Sequence, residues 1–166
     1  MKGWYGLWRK LADKWLALGW TQRLALGEAA FFLAVAQAAI HWLPFHWISP
    51  RLGRLENAPS GAQPAPETTS ALLEPDRLRQ VQRVAWAVQA LARYLPWDAR
   101  CLAQAVAGKW MLQRRGLPSA LYLGVDHGQE QWLEAHAWLC CRGEFVTGEP
   151  QHERFKVIAA FVEGPS

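Results

Sequence analysis

Few residues in this sequence can carry covalent chemistry, and two of them stand in telling places. Cys101 follows Leu95-Pro96-Trp97-Asp98. The proline pushes Leu95 out of the helical region, and Asp98 then reads as the N-cap of a helix from about Ala99 to Arg115, closing on Gly116. Cys101 therefore falls in a first helical turn, where unpaired backbone N–H groups and the helix dipole favour thiolate over thiol. A nucleophilic cysteine needs such a place; the competing reading is a buried cysteine used as a small hydrophobe. His136 lies within Glu134-Ala135-His136-Ala137-Trp138. Alternation along a strand sets Glu134, His136 and Trp138 on one face and Leu133, Ala137 and Leu139 on the other. A histidine there is either satisfied within the core or paired with a reactive group. A strand crossing the start of the Cys101 helix would supply the thiol–imidazole pair that thiol acyl transfer requires.

A third group should orient the imidazole. No Asp occurs beyond Asp126, which itself reads as a turn residue, so Glu149 is the first choice. The fallback is a Cys–His pair oriented by a backbone or amide group. Cys140 and Cys141 point to alternate faces and have no partner at metal-ligand spacing, so they read as structural. There is no Gly-rich phosphate loop and no cofactor motif; neither a cofactor nor a metal is expected.

The elements that must position this pair are legible from residue 71 onward. A helix runs from about Arg77 to Tyr94, with Val81, Val84, Ala85, Val88 and Leu91 as its apolar face. After the Cys101 helix come strand-like runs at Ala120–Val125, Trp132–Cys141 and Glu144–Thr147, with turns at Asp126-His127-Gly128 and Arg142-Gly143. A fourth run spans Phe155–Val162. Two helices followed by an antiparallel meander make an α+β domain over residues 71–166. Residues 57–70, rich in Pro, Ala, Ser and Thr, read as a linker, and residues 1–56 as an N-terminal helical segment.

That segment holds the compositional oddity, since the chain has 11 Trp against 3 Tyr and 6 Phe. Trp4, Trp8, Leu11, Trp15 and Leu18 recur at spacings of four and three, which predicts an amphipathic helix over residues 1–26. After Gly27-Glu28 an apolar stretch runs from Ala29 to Leu43 and ends at Pro44. At ~1.5 Å per residue it reaches roughly 22 Å, short of the ~30 Å hydrocarbon thickness, so it reads as a buried helix. The Trp-rich face suggests a docking surface, for partner proteins first and a membrane surface second. The formal charge of +4 gathers in the N-terminal stretch and around Arg77 to Arg115. Without a recognisable nucleic-acid motif it reads as solvated basic faces. An odd cysteine count with a vicinal pair suits a reducing, cytoplasmic compartment, with membrane association as an added expectation.

Cysteine on a helix N-terminus followed by histidine on a strand is the papain and transglutaminase order. The stretch Leu95-Pro96-Trp97, Cys101-Leu102, Leu112-Gln113-Arg114-Arg115-Gly116-Leu117-Pro118, Leu123-Gly124-Val125, Ala135-His136-Ala137-Trp138, Val146-Thr147-Gly148 and Glu153-Arg154-Phe155 resembles the lasso-peptide B proteins. These are transglutaminase-like leader peptidases, and the likeness is to the split form without a leader-recognition domain. It covers about residues 77–162. The resemblance implies a transglutaminase-like, papain-like core, and a cysteine peptidase that removes the leader of a ribosomally made precursor. It implies a separate leader-recognition protein and an ATP-using cyclase as partners. Cys101 would be the nucleophile and His136 the general base, while the family's usual Asp falls at or next to Gly148. Two other readings use the same residues: a transglutaminase-like acyltransferase, and a non-catalytic scaffold that grips the precursor.

Overall fold

The computed structural model describes residues 18–56, 74–93, 101–127, 133–148 and 151–163. The tryptophans at positions 4, 8 and 15, the Asp98 cap, the linker and Glu149 lie outside the described residues.

Helix α1 runs unbroken over Trp20–Trp42. The expected division at Gly27-Glu28 is absent, and the reason is packing. Gly27 sits on the exposed side with open space where a side chain would begin. Its intrinsic cost is about 1 kcal/mol. Burial of Ala25, Leu26, Ala29, Leu33 and Ala36 outweighs that cost, since one fully buried leucine alone contributes ~1.5–3 kcal/mol. At the start, Gln22 Oε1 accepts the Gly19 N–H at 3.0 Å; at the end, Pro44 stops the helix. Glu28 ties α1 to the distal end of the cysteine helix, accepting from Arg115 in a two-pronged pair with one arm at 3.0 Å. Beyond Pro44 come a short helix α2 (Phe45–Ile48), a 3-10 turn (Ser49–Leu52) and a three-residue strand β1 (Arg54–Glu56).

Helix α3 (Pro75–Ala92) opens on a proline, whose missing N–H costs nothing at that position, and buries Val81, Val84, Ala87 and Val88. Helix α4 (Cys101–Gln113) is buried on nearly every side, which its small residues Ala103, Ala105, Ala107 and Gly108 permit. It packs against α1, α3 and the sheet.

Strands β2 (Ala120–His127), β3 (Leu133–Cys141), β4 (Glu144–Thr147) and β5 (Lys156–Val162) form with β1 one antiparallel sheet of order β1-β5-β2-β3-β4. The first three follow the expected meander; β5 does not. It returns to the far side of β2, pairing Leu121 with Phe161, and β1 then covers its outer edge. The edge of β4 is closed to it because α3 packs there, with Gln89 Nε2 donating to the Val146 carbonyl at 2.9 Å.

The sheet separates two apolar clusters. Ala137, Leu139 and Cys141 of β3 join the large core shared with α1, α3 and α4, whereas Trp138 and Cys140 face a smaller cluster with Phe155 and Val157. One cation lies inside the large core. Lys109 of α4 is fully buried and donates to the carbonyls of Ser119 (2.6 Å) and Phe161 (3.3 Å), with Glu163 at 3.5 Å. Burial depresses its pKa against the opposing pull of Glu163.

Candidate active site

Strand β4 pairs only with the last three residues of β3, from Leu139 to Cys141. Its shortness leaves the neighbouring stretch of β3 open on that edge, and the start of α4 fills the opening. Cys101 comes within hydrogen-bonding reach of the Ala137 backbone and of the His136 imidazole. The thiol–imidazole pair expected from the two separate motifs is thus a contact in space.

The histidine is held by two aromatic rings and at its far nitrogen. Its ring stacks on Phe155 at 4.9 Å between centroids and on Trp138 at 5.9 Å. Its Nε2 lies 3.2 Å from the Gly148 carbonyl oxygen. A carbonyl oxygen only accepts, so Nε2 carries the proton and Nδ1 is left to accept from the thiol. The Gly148 carbonyl is thus a backbone group that holds the imidazole, while Glu149, the first choice for the third member, lies outside the described residues.

Gly148 is built for that task. Its φ of +88° is a conformation that side-chain-bearing residues avoid. A Cβ there would collide with Trp138, lying 2.9 Å from the Trp138 Cα and nearer still to its Cβ. An acid could not occupy position 148 in this backbone, and the Gly148 carbonyl lies at or next to the place where the resemblance puts an Asp. A further brace comes from Arg154. It pairs with Asp126 (3.2 Å) and Glu134 (3.1 Å), and its guanidinium lies 5.7 Å from the Phe155 ring centre.

The electrostatics favour charge separation. Burial pushes the Cys101 thiol up, but the His136 hydrogen bond, the backbone groups of Ala137 and Leu102 and the imidazole charge outweigh it, and the net shift is down. His136 moves up, chiefly through its bond to Cys101, against desolvation and with help from the Gly148 carbonyl. Each partner therefore stabilises the ionised form of the other. Cys141 is the contrast: burial pushes its thiol up to about 11, and its Sγ donates to the Pro118 carbonyl at 3.3 Å. Cys140 and Cys141 are buried and free of disulfide, in keeping with a structural part.

The pair opens into a cleft of about 340 Å³. It is lined by Cys101 and Gln104 of α4, by His136, Thr147 and Gly148, and by Gln89, Ala92 and Arg93 at the end of α3. Gln89 and Ala92 of α3, and Arg93 just past its end, were not foreseen. The alternation of that helix shows which face is apolar, not that its C-terminal turn overhangs a thiol.

The model of the transglutaminase-like superfamily core matches residues 39–160, well over half of the chain. The chain belongs to the transglutaminase-like superfamily. That membership agrees with the α+β architecture of four helices and a five-stranded antiparallel sheet among the described residues. The chemistry of the family is thiol-dependent, of the cysteine-peptidase or acyltransferase kind. No curated protein and no solved structure matched the chain.

Proposed function

We propose that this protein is the cysteine peptidase that removes the leader from a lasso-peptide precursor. The observation that carries the peptidase reading is the Cys101–His136 pair at the start of α4, with the imidazole fixed by the Gly148 carbonyl. The lasso assignment draws its support from the joint order of the motifs between Leu95 and Phe155. In this reading His136 Nδ1 takes the proton of the Cys101 thiol, and the thiolate attacks the scissile carbonyl. Backbone N–H groups at the start of α4, that of Cys101 among them, face the developing oxyanion. The imidazolium returns its proton to the leaving amine, and an acyl-thioester remains. Water, deprotonated by His136, then attacks the thioester, releasing the leader as a free carboxylate and restoring the thiol.

The partners follow from the same reading: a precursor peptide with its leader, a separate leader-recognition protein and a cyclase that closes the ring on the freed N-terminus. The free thiols of Cys101, Cys140 and Cys141 suit work in the cytoplasm. The test is mass spectrometry of a precursor incubated with this protein and the recognition protein. The expected products are a leader ending in a carboxylate and a core peptide with a free amine, both abolished by Cys101→Ala. Leader ending in an amide with an added amine would assign the chemistry to acyl transfer. An intact precursor, under conditions where all components bind, would remove the peptidase reading. Leader loss unaffected by Cys101→Ala would leave only a gripping role.

A further inference from the structure

The two sides of α1 are furnished the wrong way round for a helix in water. Its inner side is largely small, with Ala25, Ala29 and Ala36 against α3 and α4. Its outer side carries Trp20, Leu24, Phe31, Val35 and Trp42, all exposed, Phe31 at 62% and Trp42 at 81%. At about 100° per residue these fall, with Gly27, Ala34 and Ala38, in one stripe roughly 100° wide and ~34 Å long. No polar side chain interrupts it. Phe45 and Trp47, also exposed, carry apolar surface on past the end of the helix.

Charge identifies what this stripe meets. Residues 1–55 hold seven basic side chains against two acidic ones, while residues 56–166 hold eleven against twelve. Of the two acids, Glu28 is already engaged by Arg115 and Arg114. Residues 1–55, which bear the stripe, thus carry a net positive charge. A protein partner would ask for a hydrogen bond every 100–200 Å² or so, and the stripe offers only the indole N–H groups of Trp20 and Trp42. A membrane surface asks for an apolar face, basic flanks and aromatic side chains at headgroup depth, which Trp20, Phe31 and Trp42 supply here. Crossing the bilayer is excluded by the other side of α1, which packs on α3 with its Arg77, Arg79 and Arg83.

We propose that the outer face of α1, continued through Phe45 and Trp47, docks on an anionic lipid bilayer with the helix axis in the plane of the interface. The proposal is independent of the catalytic reading. Flotation of the full chain with vesicles of phosphatidylcholine, with and without phosphatidylglycerol, tests it. The protein should float with the anionic vesicles, less so as salt rises, and little with neutral ones. Phe31→Asp and Trp42→Asp should each weaken partition about tenfold or more without altering thermal unfolding, as loss of one large apolar contact predicts. The two sites lie eleven residues apart, so either variant suffices if the other fails to fold. Absence of flotation overturns the proposal, as does equal flotation with both vesicle types. Variants that float like the parent would assign binding to the basic residues alone. A dimer that Phe31→Asp converts to monomer, without vesicle binding, would give the face to a second copy of the chain.

Discussion

His136 donates its Nε2 proton to the main-chain oxygen of Gly148 across 3.2 Å, so a neutral carbonyl holds the imidazole where thiol enzymes often use a side chain. The orientation is then set by backbone conformation, and the imidazole's pKa is raised chiefly by its bond to Cys101, with further help from the Gly148 carbonyl and the Glu134 charge.

The first prediction concerns that charge. Cys101 titrates below an ordinary thiol and His136 above an ordinary imidazole. The reactive ion pair therefore forms as pH rises through the lowered Cys101 value and is lost as pH rises through the raised His136 value. Iodoacetamide alkylation followed against pH should show a Cys101 midpoint below that of a free thiol. In His136→Ala the midpoint should move up, because the burial that opposes ionisation stays while the imidazole is gone. An unchanged midpoint would show that the helix start, not the imidazole, activates the thiol.

A second prediction separates the three cysteines. At neutral pH limiting reagent should modify Cys101 first, since Cys141 is buried with a thiol pushed up to about 11. Peptide mapping of the singly alkylated protein reads this directly. Preferential labelling of Cys141 would contradict the contrast between the two environments.

Gly148 supports a third. Gly148→Ala should destabilise by about 1–3 kcal/mol for backbone strain alone, and the displaced carbonyl should lower turnover as well. Gly148→Asp should not rescue activity, because its side chain would meet Trp138 before it could approach His136. Thermal unfolding and turnover on the precursor measure the two effects separately. Full activity in either variant would mean that the carbonyl does not position the base.

Away from the cleft, Lys109→Met should cost about 3–5 kcal/mol, the scale of breaking a buried ion pair and stranding its acceptors. The accompanying Glu163→Gln should recover part of that loss. For the parent, the depressed Lys109 pKa means that the folded state binds fewer protons, so this residue's share of stability grows as pH rises from its folded value toward 10.5. Urea unfolding of parent and variants across that range checks the sign.

Residue type made half of this site legible and backbone geometry hid the rest. Cys101 and His136 announce themselves because few other side chains do thiol chemistry and each sits at a marked place in its element. Gly148 could not be read as a participant, since every residue offers a carbonyl and only its direction matters. Its one trace in the sequence is a glycine at or next to the place where the resemblance has an acid. The sheet behaved similarly. β2, β3 and β4 follow from alternation and tight turns, whereas β1 is three exposed residues with no pattern, recruited by the free edge of β5. Gly27 misled for the opposite reason, a local helix weakness overruled by packing on α3 and α4.

The strand β1 carries one more consequence. Through Arg54 to Glu56 it zips to β5 near the end of the chain, while α1 buries its inner side on α3 and α4. The two stretches on either side of residues 57–73 therefore hold each other by more than the peptide bonds between them. A protein nicked anywhere from 57 to 73 should travel as one particle through gel filtration. The pieces expressed as two polypeptides should reassemble on mixing, which makes this junction the natural place to divide the molecule into complementing halves.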